Sequence, residues 1–116
     1  MIENEKFRAA VNRIYYGIFY ALLALGLKYQ FETSKHGQLL GWFNKTFIKD
    51  DLLPRKYGKI AREAFEVRQK GDYDTYIEFS KDDVIQKYEQ MKDFVGTIEQ
   101  FIFSGNIVPK YPWETL

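Results

Sequence analysis

The chain contains no cysteine and a single histidine among its 116 residues. That excludes a disulfide framework, a cysteine redox centre and a Cys/His zinc site. No metal and no cofactor are expected, and the cysteine usage agrees with a cytoplasmic location. Neither sign of charge dominates, because seventeen Lys and Arg stand against sixteen Asp and Glu, a formal net charge of +1. The strongly basic signature of non-specific duplex-DNA binding is therefore missing, so any basic surface must be local. Long hydrophobic runs are missing too. The longest uncharged stretch, Ile14 to Leu27, would reach roughly 21 Å as a helix, short of the about 30 Å of a bilayer core. It reads as a buried helix, and no membrane association is expected. The opening Met1-Ile2-Glu3-Asn4-Glu5 is acidic where a secretory signal would be basic, so no targeting segment is expected. There is no convincing period-two alternation, internal repeat or low-complexity tract. Nor is there a glycine-rich phosphate cradle, a Gly-x-Ser-x-Gly elbow or a His-Glu-x-x-His pair.

What is present is a chain that is 46% hydrophobic and 18% aromatic, long enough for one domain that buries roughly two thirds of its unfolded surface. Phe7, Val11, Ile14, Ile18, Leu22 and Leu25 recur at steps of three and four, predicting one stripe of a long helix from about Glu3 to Tyr29. Tyr15, Tyr16, Phe19, Tyr20 and Leu23 form a second row beside it. One bundle core does not obviously cover both rows, so the second is expected to face another copy of the chain. Leu39, Leu40, Phe43, Phe47 and Ile48 predict a short helix from about His36 to Lys49, broken by Asp50-Asp51. Asp51 or a neighbour would cap a third helix with Pro54 in its first turn. That helix carries Tyr57, Ile60, Ala61, Ala64, Val67 and Arg68 on one face and would close near Lys70 at Gly71. Ser80 would cap a fourth helix, with Asp82 and Asp83 complementing its dipole. Val84, Tyr88, Met91, Val95, Ile98 and Ile102 would carry its stripe to about Phe103. The expected architecture is all-α, an antiparallel four-helix up-and-down bundle over residues 1–103, followed by a C-terminal tail at 104–116 in which Gly105, Pro109 and Pro112 preclude a helix.

Charge is unevenly spread along this plan. Residues 35–70 hold nine Lys/Arg and four Asp/Glu, whereas residues 71–116 hold four and nine. Solvated faces that pair within the monomer explain this as readily as an anion-binding surface built from Lys45, Lys49, Arg55, Lys56, Lys59 and Arg62. His36 stands at a helix start, where an imidazole either caps or acts as a base; no partner for proton transfer is evident in the sequence. Asp72, Asp74, Asp82 and Asp83 match no metal loop and read as loop and cap residues. Arg68 falls on an apolar helix face, where a guanidinium needs a carboxylate, carbonyl or anionic ligand. Asp72 is its nearest candidate partner, and Asn12-Arg13 supplies another polar pair in an apolar zone. A packing network and a pocket for a nucleotide or RNA phosphate both account for these residues.

The run Arg8-Ala9-Ala10-Val11-Asn12-Arg13-Ile14-Tyr15-Tyr16-Gly17-Ile18-Phe19-Tyr20-Ala21, with Ser34-Lys35-His36-Gly37 and Arg68-Gln69-Lys70-Gly71-Asp72-Tyr73, resembles a HEPN domain over about residues 5 to 103. The resemblance implies a nucleotide-binding helical bundle that commonly dimerises. Family members that cut RNA carry an arginine followed four to six residues later by histidine, two copies forming one metal-independent centre. Arg68 aligns with that arginine, but the positions that follow are Asp72, Tyr73 and Asp74. An ordinary tyrosine has a pKa of about 10 and an aspartate of about 3.9, so neither exchanges a proton near neutrality as histidine does. The incomplete motif weighs against catalysis. The resemblance also implies a minimal nucleotidyltransferase as partner in a toxin-antitoxin pair, with Tyr73 the position that would accept a nucleotide.

The expected function is that of a homodimeric module that binds a nucleotide or RNA, or partners a nucleotidyltransferase, through Arg68, Asp72, Tyr73, Asn12, Arg13 and His36. The alternatives are a ribonuclease toxin using Arg68 with His36 or Tyr73, and a purely structural interaction module.

Overall fold

The periodic segments form helices. The computed structural model describes the backbone of residues 2–33, 35–73 and 79–104, and the side chains of 5–33, 35–67 and 79–104. In it, α1 spans Ile2–Lys28, α2 His36–Phe43, α3 Arg55–Tyr73 and α4 Lys81–Phe103, with no strand among the described residues. The expected all-α four-helix bundle is what the chain builds. Of the tail expected from residue 104, Ser104 ends α4 by donating its backbone N–H to Gln100 O at 2.9 Å; the rest lies outside the described residues.

Local chemistry sets most boundaries. Ser80 and Asp83 exchange side chain-to-backbone hydrogen bonds, both at 3.1 Å, a capping box that satisfies two backbone donors at the start of α4. At the end of α1, Phe31 N donates to Gly26 O at 2.7 Å and Gln30 N to Leu27 O at 3.3 Å, with Gln30 at φ 64°. This is the Schellman pattern, here with a glutamine in the left-handed position usually held by glycine.

Three expectations are corrected. First, α3 does not close at Gly71 but continues to Tyr73. A glycine inside a helix costs only about 1 kcal/mol relative to alanine, which helix propagation and packing can offset. Second, Asp51 does not cap α3. It occupies the left-handed region of the preceding turn at φ 58°, and Tyr57 N donates instead to Pro54 O at 3.1 Å. Third, the second helical segment changes character after Phe43, where Asn44–Ile48 forms a π-helical turn closed by Lys49 N donating to Asn44 O at 2.8 Å. This wider turn keeps both Phe43 and Phe47 in the core and brings Asn44 and Ile48 against Gly58 of α3, where a Cβ would lie 2.8 Å from Asn44 Oδ1.

The core is aromatic. Phe43, Phe47 and Phe94 are fully buried with Leu25, Leu39 and Ile98. Phe43 meets Phe94 edge-on at 5.7 Å, and Phe47 meets Phe101 at 5.2 Å. The stripe of α4 is centred on Phe94, Ile98 and Phe101, with Val95 and Ile102 half-buried and Tyr88 exposed; the largest rings take the centre because they remove the most apolar area from water. Val11, Ile14, Ile18, Leu22 and Leu25 of α1 are buried as the stripe predicts, but Tyr15 of the second row joins them. By length and composition α1 would suffice to cross a membrane from Glu5 to Lys28, at a mean hydropathy of 1.3, further than its uncharged run alone suggests. In the bundle these core-facing residues are covered by the other helices.

Contacts along the helices show where the chain departs from strictly alternating up-and-down order. Lys6 to Ile14 of α1 share a groove with Val84 to Met91 of α4, and Tyr29 meets Phe101 at 6.2 Å, so α1 and α4 run in the same direction. Tyr57 near the start of α3 bonds Thr97, whereas Val67 near its end shares a cavity with Lys87, so α3 runs against both. The chain between α1 and α2 doubles back, placing His36 beside the middle of α1.

Two glycines in α1 test this packing. A Cβ on Gly26 would lie 2.6 Å from the Phe31 carbonyl oxygen, whereas one on Gly17 would meet the flexible Met91 Sδ at 2.7 Å. Gly26→Ala is expected to lose about 1–3 kcal/mol by displacing backbone. Gly17→Ala should be near neutral, since Met91 can turn away and alanine favours helix by about 1 kcal/mol. Thermal melting monitored by circular dichroism compares them, and equal melting temperatures would refute the close approach at Gly26.

Candidate functional site

The only histidine of the chain sits where three helices meet. His36 is the first residue of α2, and its Nδ1 shares a hydrogen bond with the hydroxyl of Tyr15 on α1. Its ring lies 4.0 Å from that of Phe19, one turn further along α1, and 6.0 Å from Phe65 of α3. The imidazole is thus half-buried among aromatic faces and held by the Tyr15 hydroxyl. Tyr15 is 4% exposed, and its hydroxyl is a buried polar group satisfied at this corner.

The other predicted site residues distribute around it unequally. Arg68 lies on α3 three residues past Phe65, one helical turn along the same side. Because α3 extends to Tyr73, Asp72 lies within the same helix as Arg68, four residues on, and not past the helix end as expected. The side chains of Arg68, Asp72 and Tyr73 lie outside the described residues, as does all of Asp74. Asn12 is half-buried one turn before Tyr15 and on its side of α1. Arg13 points elsewhere: it is exposed and borders the α1–α4 groove of about 580 Å³ with Ile85, Tyr88 and Met91. Asn12 and Arg13 therefore face different sides of α1, because consecutive helical residues diverge by about 100°.

Sequence reasoning missed Tyr15 as the histidine's partner, since aromatic periodicity says only that the position is apolar. It also missed a polar latch between α3 and α4. The Tyr57 hydroxyl donates to Asp93 Oδ1 at 2.9 Å and accepts from Thr97 Oγ1 at 2.9 Å, while Lys56 Nζ lies 3.0 Å from Asp93 Oδ2. Hydrogen bonds from Lys56 and Tyr57 hold the Asp93 carboxyl below the usual carboxylate range. The capping bonds of Ser80 do the same for Asp83. That carboxylate is thereby occupied in helix capping, and no cluster of three or more metal-ligating side chains occurs among the described residues.

Of the six basic residues that the charge distribution singles out, Arg55, Lys56, Lys59 and Arg62 line one groove of about 380 Å³ beside the π-helical turn; Lys45 and Lys49 do not. On α1, Tyr16 and Tyr20 stack at 6.1 Å and remain 37% and 62% exposed, as does Leu27 at 63%. Phe19 and Leu23 are half-buried, so the second apolar row is split between core and surface.

A family model described as the HEPN domain matches residues 1–101. A Thermotoga maritima protein named only as a UPF0332 protein is 36% identical over 102 residues, 88% of this chain and 77% of that one. A Methanocaldococcus jannaschii protein whose name designates it a candidate toxin is 32% identical over 108 residues, 93% of this chain and 74% of its own length. A second M. jannaschii protein with the same designation is 33% identical over 75 residues, 65% of this chain and 56% of its own. No solved structure matches the chain significantly.

Proposed function

Because this chain belongs to the HEPN domain family, we propose that it is a toxin-type RNA-binding module whose site lies where α2 begins against α1 and α3. The observation that carries this reading is the place of the histidine. His36 is remote from Arg68 in sequence, yet its ring packs against Phe65, one turn before Arg68 on α3. An imidazole beside a helix that bears a guanidinium suits phosphate oxygens and the exposed base edges of a single strand. The names of the M. jannaschii relatives support the toxin-type role. In this reading the chain pairs with a second copy through the exposed row Tyr16, Tyr20 and Leu27 of α1, and a nucleotidyltransferase is the partner that family membership suggests.

The same observation favours a second reading, metal-independent RNA cleavage. What the sequence lacks after Arg68 is a nearby histidine, and in this reading His36, whose ring meets Phe65 one turn before Arg68, takes that role. Incubating the full chain with mixed RNA in the presence of a chelator separates the two. Retention of intact RNA is expected. Cleavage lost in both Arg68→Ala and His36→Ala would establish the second reading instead, and a wild-type chain that neither retains nor cleaves RNA would refute both. Light scattering on the same sample reads the dimer.

A further inference from the structure

A second zone for anionic contacts stands apart from the His36 corner. Arg55, Lys56, Lys59 and Arg62 of α3 form one wall of the groove beside the π-helical turn, Asn44 and Ile48 form the other, and no carboxylate among the described residues lines it. The groove depends on the close seat of that turn against Gly58. Lys56 is engaged by Asp93. Lys59 and Arg62 reach Glu63 and Glu66 only at 3.9 and 4.0 Å, between exposed side chains, contacts that a phosphate readily replaces. Arg55 has no carboxylate partner among the described residues.

The arrangement is linear. Arg55, Lys59 and Arg62 recur at steps of four and three, which places them on one side of α3 over about 10 Å of helix axis. Arg62 lies three residues before Phe65, the ring neighbour of His36, so the cationic row leads toward the histidine corner. A row of cations facing an amide and an apolar side chain fits a strand with regularly spaced phosphates and apolar sugar and base faces.

We propose that this groove tracks the phosphate backbone of single-stranded RNA and guides the strand to the His36 corner, an inference that rests on the RNA reading above and adds where the strand lies. Binding of a labelled oligouridylate to the full chain, followed by fluorescence anisotropy across a salt series, tests it. The variant Arg55→Ala/Lys59→Ala/Arg62→Ala is expected to bind at least about tenfold more weakly at low salt, with a log-log salt slope shallower by about 2, roughly 0.7 for each lost contact on a single strand. Arg55→Lys/Arg62→Lys should keep the wild-type slope, because the charges remain. His36→Ala should weaken binding and keep the slope. If the triple variant melts early, Lys59→Gln alone decides, with an expected change in slope of about 0.7. Wild-type affinity and slope in the triple variant would overturn the groove while leaving the RNA reading intact. Loss in the triple variant with none in His36→Ala would uphold the groove and refute the His36 corner. Absence of any RNA binding by the wild type would overturn both, and preferential binding of oligoglutamate would overturn RNA as the groove's occupant in favour of an acidic protein.

Discussion

Replacing Phe94 by alanine is expected to be the most damaging single change in the core, at about 3–5 kcal/mol. Its ring is fully buried and stands 5.7 Å from Phe43 and 6.2 Å from Tyr57, so one side chain joins α4 to both α2 and α3. Truncation removes apolar contact on two fronts, and rigid aromatic neighbours do not easily collapse into the space. A domain of this size is stable by about 5–15 kcal/mol, so the loss is a large share of the total. Tyr88→Ala is the control: the ring is 47% exposed on the same helix and should cost under about 1 kcal/mol. Urea unfolding followed by circular dichroism measures both. A Phe94→Ala midpoint close to wild type would mean that α2 is not anchored through this ring.

The second large effect is expected at His36, and it concerns function more than stability. His36→Ala removes the imidazole from its aromatic seat but leaves Leu39 and Phe43, the buried anchors of α2, in place. The fold should therefore persist while RNA binding falls about tenfold, the worth of roughly one strong polar contact of 1.4 kcal/mol. If the chain cleaves RNA, the same substitution should cost about 10²–10⁴-fold in rate, the usual contribution of general acid-base catalysis. Tyr15→Phe separates orientation from chemistry. It keeps the buried ring and deletes the hydroxyl that meets Nδ1, at about 0.5–1.5 kcal/mol in stability. Its effect on RNA should be smaller than that of His36→Ala and absent in the Tyr15→Phe/His36→Ala double variant compared with His36→Ala alone. Additive losses would show that Tyr15 acts independently of the histidine.

Much of this molecule is legible along the chain because the relevant signals are local. The apolar stripe of α1 spans successive turns of one helix, and the box of Ser80 and Asp83 closes within four residues, so backbone hydrogen bonding and side-chain spacing suffice to locate both helices. The aromatic run around Tyr15-Tyr16 and the segment Arg68 to Tyr73 likewise point to the HEPN family without reference to any neighbour in space. Other features have no local signature. Whether Gly71 ends α3 or lies within it depends on a balance of about 1 kcal/mol that packing elsewhere can tip. Tyr15 and Tyr16 are indistinguishable as letters, yet one is buried against the core and the other exposed, because a rotation of about 100° separates them and only the positions of α2 and α3 decide which side is covered. The meeting of His36 with Phe65 on the helix that carries Arg68 belongs to the same class. It follows from the seating of Phe43 and Phe47 against α4, a sum of many small apolar contacts between segments remote in sequence, and that sum exists only once the helices have packed.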